Sequence, residues 1–136
     1  MKIEGLAIAI AVPDLDEAEE TFRRVLGLGQ PRRAAAPDHG VEVAVFGIGD
    51  GQLQLVAPLG EGSLIAKFLD EQGPGLHHFG ILVDDVASVV DHMETVGAKT
   101  LGVPMLGAEG LPTIFIHPGS THGALIEFLQ IASNTN

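Results

Sequence analysis

The sequence predicts an α+β fold in which two tandem βαβββ modules join their strands into one cupped, open mixed sheet. Three observations predict it. The segment LAIAIAVPDLDEAEETFRRVLGLG, from Leu6, resembles LHHFGILVDDVASVVDHMETVGAK, from Leu76. Each is followed by a pair of apolar runs joined by a glycine-containing turn. The order of elements is the same in both halves, which marks an internal repeat despite sparse identity. At 136 residues the chain suits one domain, 1–136. Module one covers roughly 1–60, a linking helix roughly 62–73, and module two roughly 75–131.

The elements follow in order. Leu6–Val12 is an apolar run that reads as a buried central strand. Asp14, with Glu17 three residues on, signals a helix start. Leu15, Ala18, Phe22, Val25 and Leu26 recur at helical spacing, and Gly27 stops the helix. A short strand is expected near Gln30–Arg33, then strands over Val41–Gly49 and Gly51–Leu59. Within Gly62–Gly73, Leu64, Ile65, Phe68 and Leu69 share one face of the linking helix. The second module repeats the plan. A strand from Leu76 runs into Asp84 or Asp85 as helix cap. Val86, Val89, Val90, Met93 and Val96 form the apolar stripe, and Gly97 ends it. Strands are expected near Lys99–Pro104, over Leu111–Gly119 and over His122–Gln130.

Composition excludes several functions. Seven basic and eighteen acidic residues give a net charge of −11. A nucleic-acid binder needs a basic face to displace counterions, and none is present. An anionic membrane surface is disfavoured for the same reason. Tryptophan and tyrosine are absent, so bases have no stacking platform. A phosphate-bearing ligand would have to meet a local gathering of Arg23, Arg24, Arg32, Arg33, Lys67 or Lys99. There is no cysteine, hence no disulfide, thiolate site or thiol nucleophile. The Leu6–Val12 run is too short to span a bilayer, no signal-peptide pattern is found, and a cytoplasmic location is expected.

The repeat also predicts a site, because positions in register in the two halves converge across a shared cleft. Aligning Val12 with Val83 sets Ala7 opposite His78. Aligning Leu53–Leu55 with Ile126–Phe128 sets Gln54 opposite Glu127. Three of these four positions carry metal-ligating side chains: Gln54, His78 and Glu127. Such a mixed N/O set suits Co²⁺, Mn²⁺, Ni²⁺ or Zn²⁺. Gln54 and Glu127 are polar residues inside apolar strands, and a buried carboxylate needs a cation or a full set of hydrogen bonds. Strand alternation turns His77 to the opposite face from His78. His117 is expected to shape the turn at Pro118, while His39, His92 and His122 are expected to be exposed.

Four stretches carry a family resemblance: IAVPDLDEAEETFRRVLGL, PDHGVEVAVFGIGDGQLQLVAPLGEGSLIAKFL, GPGLHHFGILVDDV and GLPTIFIHPGSTHGALIEF. Together they resemble the vicinal oxygen chelate superfamily, and within it the methylmalonyl-CoA epimerases, over nearly the whole chain. That resemblance implies paired βαβββ units with a divalent metal held by position 7, Gln54, His78 and Glu127. It departs at Ala7, where relatives usually carry histidine within DHIGIAV. Val43 stands where some relatives carry a glutamate base, and adjacent Glu42 should face the other way. Gly119 replaces a lysine of the relatives' HPKS.

The resemblance implies an isomerase that moves a proton alpha to a thioester carbonyl, with a small carboxylate or acyl-CoA as ligand. Glu127 is the cleft residue able to act as the catalytic base, and a metal would stabilise the enolate. Two alternatives stand beside it: a metal-free binder of small molecules on the same scaffold, and a glyoxalase-like lyase. A homodimer is also implied.

Overall fold

The structure, a computed structural model, describes residues 1–132. Its strands are β1 (Ile3–Ala11), β2 (Arg32–Ala36), β3 (Val41–Ile48), β4 (Gly51–Pro58), β5 (Gly75–Val83), β6 (Thr100–Leu106), β7 (Pro112–Ile116) and β8 (Ile126–Gln130). Its helices are α1 (Leu15–Leu26), α2 (Leu64–Gln72) and α3 (Val86–Val96). The expected βαβββ order therefore appears twice, with α2 between the halves.

The eight strands form one sheet in the order β2-β3-β4-β1-β5-β8-β7-β6. That order is a palindrome under exchange of β1 with β5, β4 with β8, β3 with β7 and β2 with β6. The register obeys the same exchange. Ala9 pairs with Gln54 where parallel β1 and β4 meet, and Gly80 pairs with Glu127 where parallel β5 and β8 meet. In the antiparallel ladder that joins the halves, Ala7 pairs with Gly80 and Ala9 with His78.

Capping chemistry sets the helix ends. The Asp14 carboxylate accepts the Glu17 amide at 3.0 Å and starts α1. Of the two candidate acids in module two, Asp85 caps α3 through the Ala87 amide at 3.1 Å. Asp84 instead accepts the Lys2 amide at 2.6 Å, tying the start of β1 to the end of β5. Gly27 and Gly97 close α1 and α3 at φ 68° and 74°, a region that disfavours side chains.

Some boundaries differ from expectation. β2 lies later than Gln30–Arg33, because Pro31 cannot donate to a ladder and Arg32–Ala36 pairs cleanly with Val41–Val45. β8 starts only at Ile126: His122 (φ 55°) and Gly123 (φ 88°) turn the chain before it. β7 stops at Ile116, before His117 accepts the Gly119 amide at 2.9 Å in a tight turn.

The faces of the sheet differ. On the convex side, α1 rests Leu15, Ala18 and Phe22 on Phe46, Leu53 and Leu55. There α3 rests Val86, Val89 and Met93 on Ile114, Ile116 and Phe128. On the concave side, α2 lays Ile65, Phe68 and Leu69 over Ala9, Val43 and Val56. β3 and β4 are thus covered on both faces, which explains their near-continuous apolar sequence. Among the described residues none covers the convex face of central β1 at its start in this way: Leu6 is 49 % and Ile8 40 % exposed. Among the described residues no helix is long and apolar enough to cross a membrane.

Candidate functional site

The two halves enclose a cavity of about 300 Å³. The central strands beside it carry small residues: Ala7 pairs with Gly80, and Ala9 pairs with His78. Ala9 sits between Gln54 and His78 on its two neighbouring strands, so both side chains can lean over it. Glu127 pairs with Gly80 one strand further on.

The structure brings the three sequence-predicted residues to this cavity. All three are buried: Gln54 8 %, His78 9 % and Glu127 7 % exposed. His78 Nε2 lies 3.3 Å from Glu127 Oε1. Gln54 Nε2 donates to Gln52 Oε1 at 3.1 Å, which leaves the Gln54 amide oxygen as a free acceptor or ligand atom. The fourth position is apolar. Ala7 is buried, and a Cβ on Gly80 would meet both the Ala7 methyl and Leu129 Cδ1. Leu129 thus reaches into the space beside Ala7.

These residues could hold a divalent ion with three protein ligands. Ligand bonds of roughly 2.0–2.2 Å place neighbouring ligand atoms about 3 Å apart, and the His78–Glu127 separation meets that. Among the described residues no three His, Cys, Asp or Glu side chains group as a metal site, so the third donor has to be the Gln54 amide.

His77 corrects the expectation of strict alternation. The β1–β5 register slips between Ala9–His78 and Ile10–Leu76, leaving His77 as the extra residue of a bulge. The bulge turns His77 to the same side as His78. Their Nδ1 atoms are 2.8 Å apart, so one nitrogen donates and the other accepts. Phe68 of α2 meets the His77 ring edge-on at 4.8 Å. Burial first, and the neighbouring His78 second, push His77 down to about 4.

His39 also departs from expectation. It is half-buried at the end of a 3₁₀ turn, Pro37–His39, and lines the cavity. Its Nε2 is buried without a hydrogen-bond partner. Its ring meets Phe115 at 6.2 Å, and Phe115 in turn meets His78 edge-on at 5.2 Å. The sequence signal for it was the proline–glycine bracket around the turn, PDHG, which fixes a side chain rather than leaving it loose. Val43 lines the cavity and Glu42 does not, as alternation requires. At the rim, Arg32 Nε donates to Glu109 Oε1 at 2.7 Å, bridging the modules. Arg33 is held by Asp16 at 2.7 Å and Glu19 at 3.1 Å.

A doubled βαβββ sheet with a polar cluster of His, Gln and Glu in its concave cavity defines a class of protein. The chain belongs to the glyoxalase/bleomycin resistance protein/dioxygenase superfamily, whose family model matches residues 7–115. Within that class it is similar to methylmalonyl-CoA epimerases. It is 39 % identical to an ethylmalonyl-CoA/methylmalonyl-CoA epimerase of Cereibacter sphaeroides, over 91 % of this chain and 95 % of the relative. It is 36 % identical to the mitochondrial methylmalonyl-CoA epimerase of Homo sapiens, over 90 % of this chain and 71 % of the relative. A solved methylmalonyl-CoA epimerase in complex with methylmalonyl-CoA and NH4+ superposes with a TM-score of 0.90 at 29 % identity, covering 97 % of each chain.

Proposed function

We propose that the chain epimerises a 2-alkylmalonyl thioester such as methylmalonyl-CoA. The observation that carries this reading is the buried His78–Glu127 pair, with Gln54 beside it, opening on an apolar cavity in a chain so similar to epimerases. Gln54, His78 and Glu127 would hold a divalent ion, which when bound supplies positive charge to the carbonyl and carboxylate oxygens of the ligand. Oε1 of Glu127 faces His78, and the second oxygen is left to take the proton alpha to the thioester carbonyl. The valines of β3 and β4 and the half-covering α2 keep water from the carbanionic centre. The cationic end of the rim is limited, since Arg32 and Arg33 are already paired with carboxylates. A homodimer fits the bare convex stripe at Leu6 and Ile8, which a second copy would cover.

The test follows conversion of one epimer of methylmalonyl-CoA to the other by chiral analysis, with bound metal measured on the same preparation. Turnover by the wild type, with loss of metal and rate in His78→Ala and of rate in Glu127→Gln, is expected. No turnover with or without added Co²⁺ or Mn²⁺ overturns the reading. The apolar fill at Ala7 and Leu129 favours a second reading, a metal-free binder, which tight acyl-CoA binding without turnover would support.

A further inference from the structure

Inversion at a carbon needs a proton taken from one face and a proton given to the other. Glu127 supplies one group. Five ionisable side chains line the cavity among the described residues: His39, His77, His78, Glu109 and Glu127. Four have partners. His77 and His78 bond each other, His78 also faces Glu127, and Glu109 is held by Arg32. His39 Nε2 alone is buried with none. A buried polar atom without a partner is a cost that natural proteins seldom carry without a use. The turn that holds His39 is closed by local chemistry: Pro37 starts it, and Gly40 ends it at φ 67° with its amide on the Pro37 carbonyl at 3.0 Å. His39 comes from module one and Glu127 from module two. Phe115 meets His39 edge-on and is the cross-strand partner of Glu127, and all three line the same cavity. An imidazole χ2 is broad and roughly two-fold, so a ring flip exchanges the edge that faces the cavity.

We infer that His39 is the second acid–base residue of the epimerase, acting on the face of the α-carbon opposite Glu127. This rests on the epimerase reading above. In one direction the Glu127 carboxylate takes the α-proton, and the C–H electron pair moves onto the thioester oxygen as an enolate. The His39 imidazolium then gives its N–H proton to the opposite face of the carbon, and the electron pair returns to form the new C–H bond. Glu127 ends protonated and His39 neutral. In the reverse direction the roles exchange, and proton exchange with water resets the pair.

The experiment uses the full chain with each methylmalonyl-CoA epimer in D₂O, reading deuterium at C2 and configuration separately. In the wild type, deuterium is expected in the inverted product. In His39→Gln, inversion is expected to fall by about 10²–10⁴-fold, the usual weight of a general acid or base. Deuterium exchange with retention should persist for the epimer whose proton faces Glu127, and Glu127→Gln should show the complementary pattern. Inversion within about threefold of wild type in His39→Gln, or a parallel loss of inversion and exchange with both epimers, overturns the assignment. His39→Asn serves the same readout should His39→Gln fold poorly. A wild type that neither exchanges nor inverts overturns the epimerase reading, and this inference with it.

Discussion

A histidine introduced at position 7 would enter the space that Leu129 occupies beside Gly80. Ala7→His is therefore expected to lower stability by about 1–3 kcal/mol through overpacking, without tightening metal. The double change Ala7→His with Leu129→Ala should tighten it; Co²⁺ titration calorimetry on both variants decides, and tightening by the single change would refute the packing account. His77 gives a second prediction. Its imidazole is held near pH 4 in the fold and returns to about 6.5 when unfolded. Between those values the unfolded chain binds the extra proton, so His77 lowers stability as pH falls through that window and has no effect above it. With chelator present, His77→Phe should melt with a shallower dependence on pH between 7 and 4.5; an unchanged slope would refute the assignment. At this scale, Gln54, His78 and Glu127 were legible because the repeat fixes register, and register fixes facing. His77 was not, because a bulge leaves no mark in an apolar–polar pattern. His39 was not, because a short turn has no periodicity to read.

The helices were the most legible elements, since each carries its own boundary chemistry. Asp14 and Asp85 start them and Gly27 and Gly97 stop them, all through local bonds. Strand ends depend on distant partners, which is why β2 and β8 began later than expected. β4 makes the point energetically. Leu55 is fully buried between the α1 layer and the sheet. Leu55→Ala should cost about 2–5 kcal/mol, read as a lower urea midpoint at unchanged slope. A loss under 1 kcal/mol on the same analysis would mean that the α1 layer collapses into the gap. By contrast the exposed Arg32–Glu109 pair is worth roughly 0–1 kcal/mol, so its removal should leave the midpoint nearly still.

The doubled βαβββ order was legible as a whole from two similar segments with the same element order, whereas the palindromic strand order is seen only in the structure. What the repeat could not convey is that α2 crosses the concave side, for it belongs to neither half and so has no counterpart to align with. The bare convex stripe bears on assembly. Leu6→Glu with Ile8→Glu should convert the proposed dimer to a monomer by light scattering; a wild type that is already monomeric would remove that proposal. The position of β1 has a further consequence during synthesis. It is made before both of its neighbours, so Ala7 waits for Gln52 on one edge and for Gly80 on the other. Until the second half of the chain has been translated, the nascent protein carries a long apolar strand with an open edge that a twin on a neighbouring ribosome matches. Slowing translation between the modules should therefore increase co-translational aggregation, while a chaperone that shields residues 3–11 should relieve it.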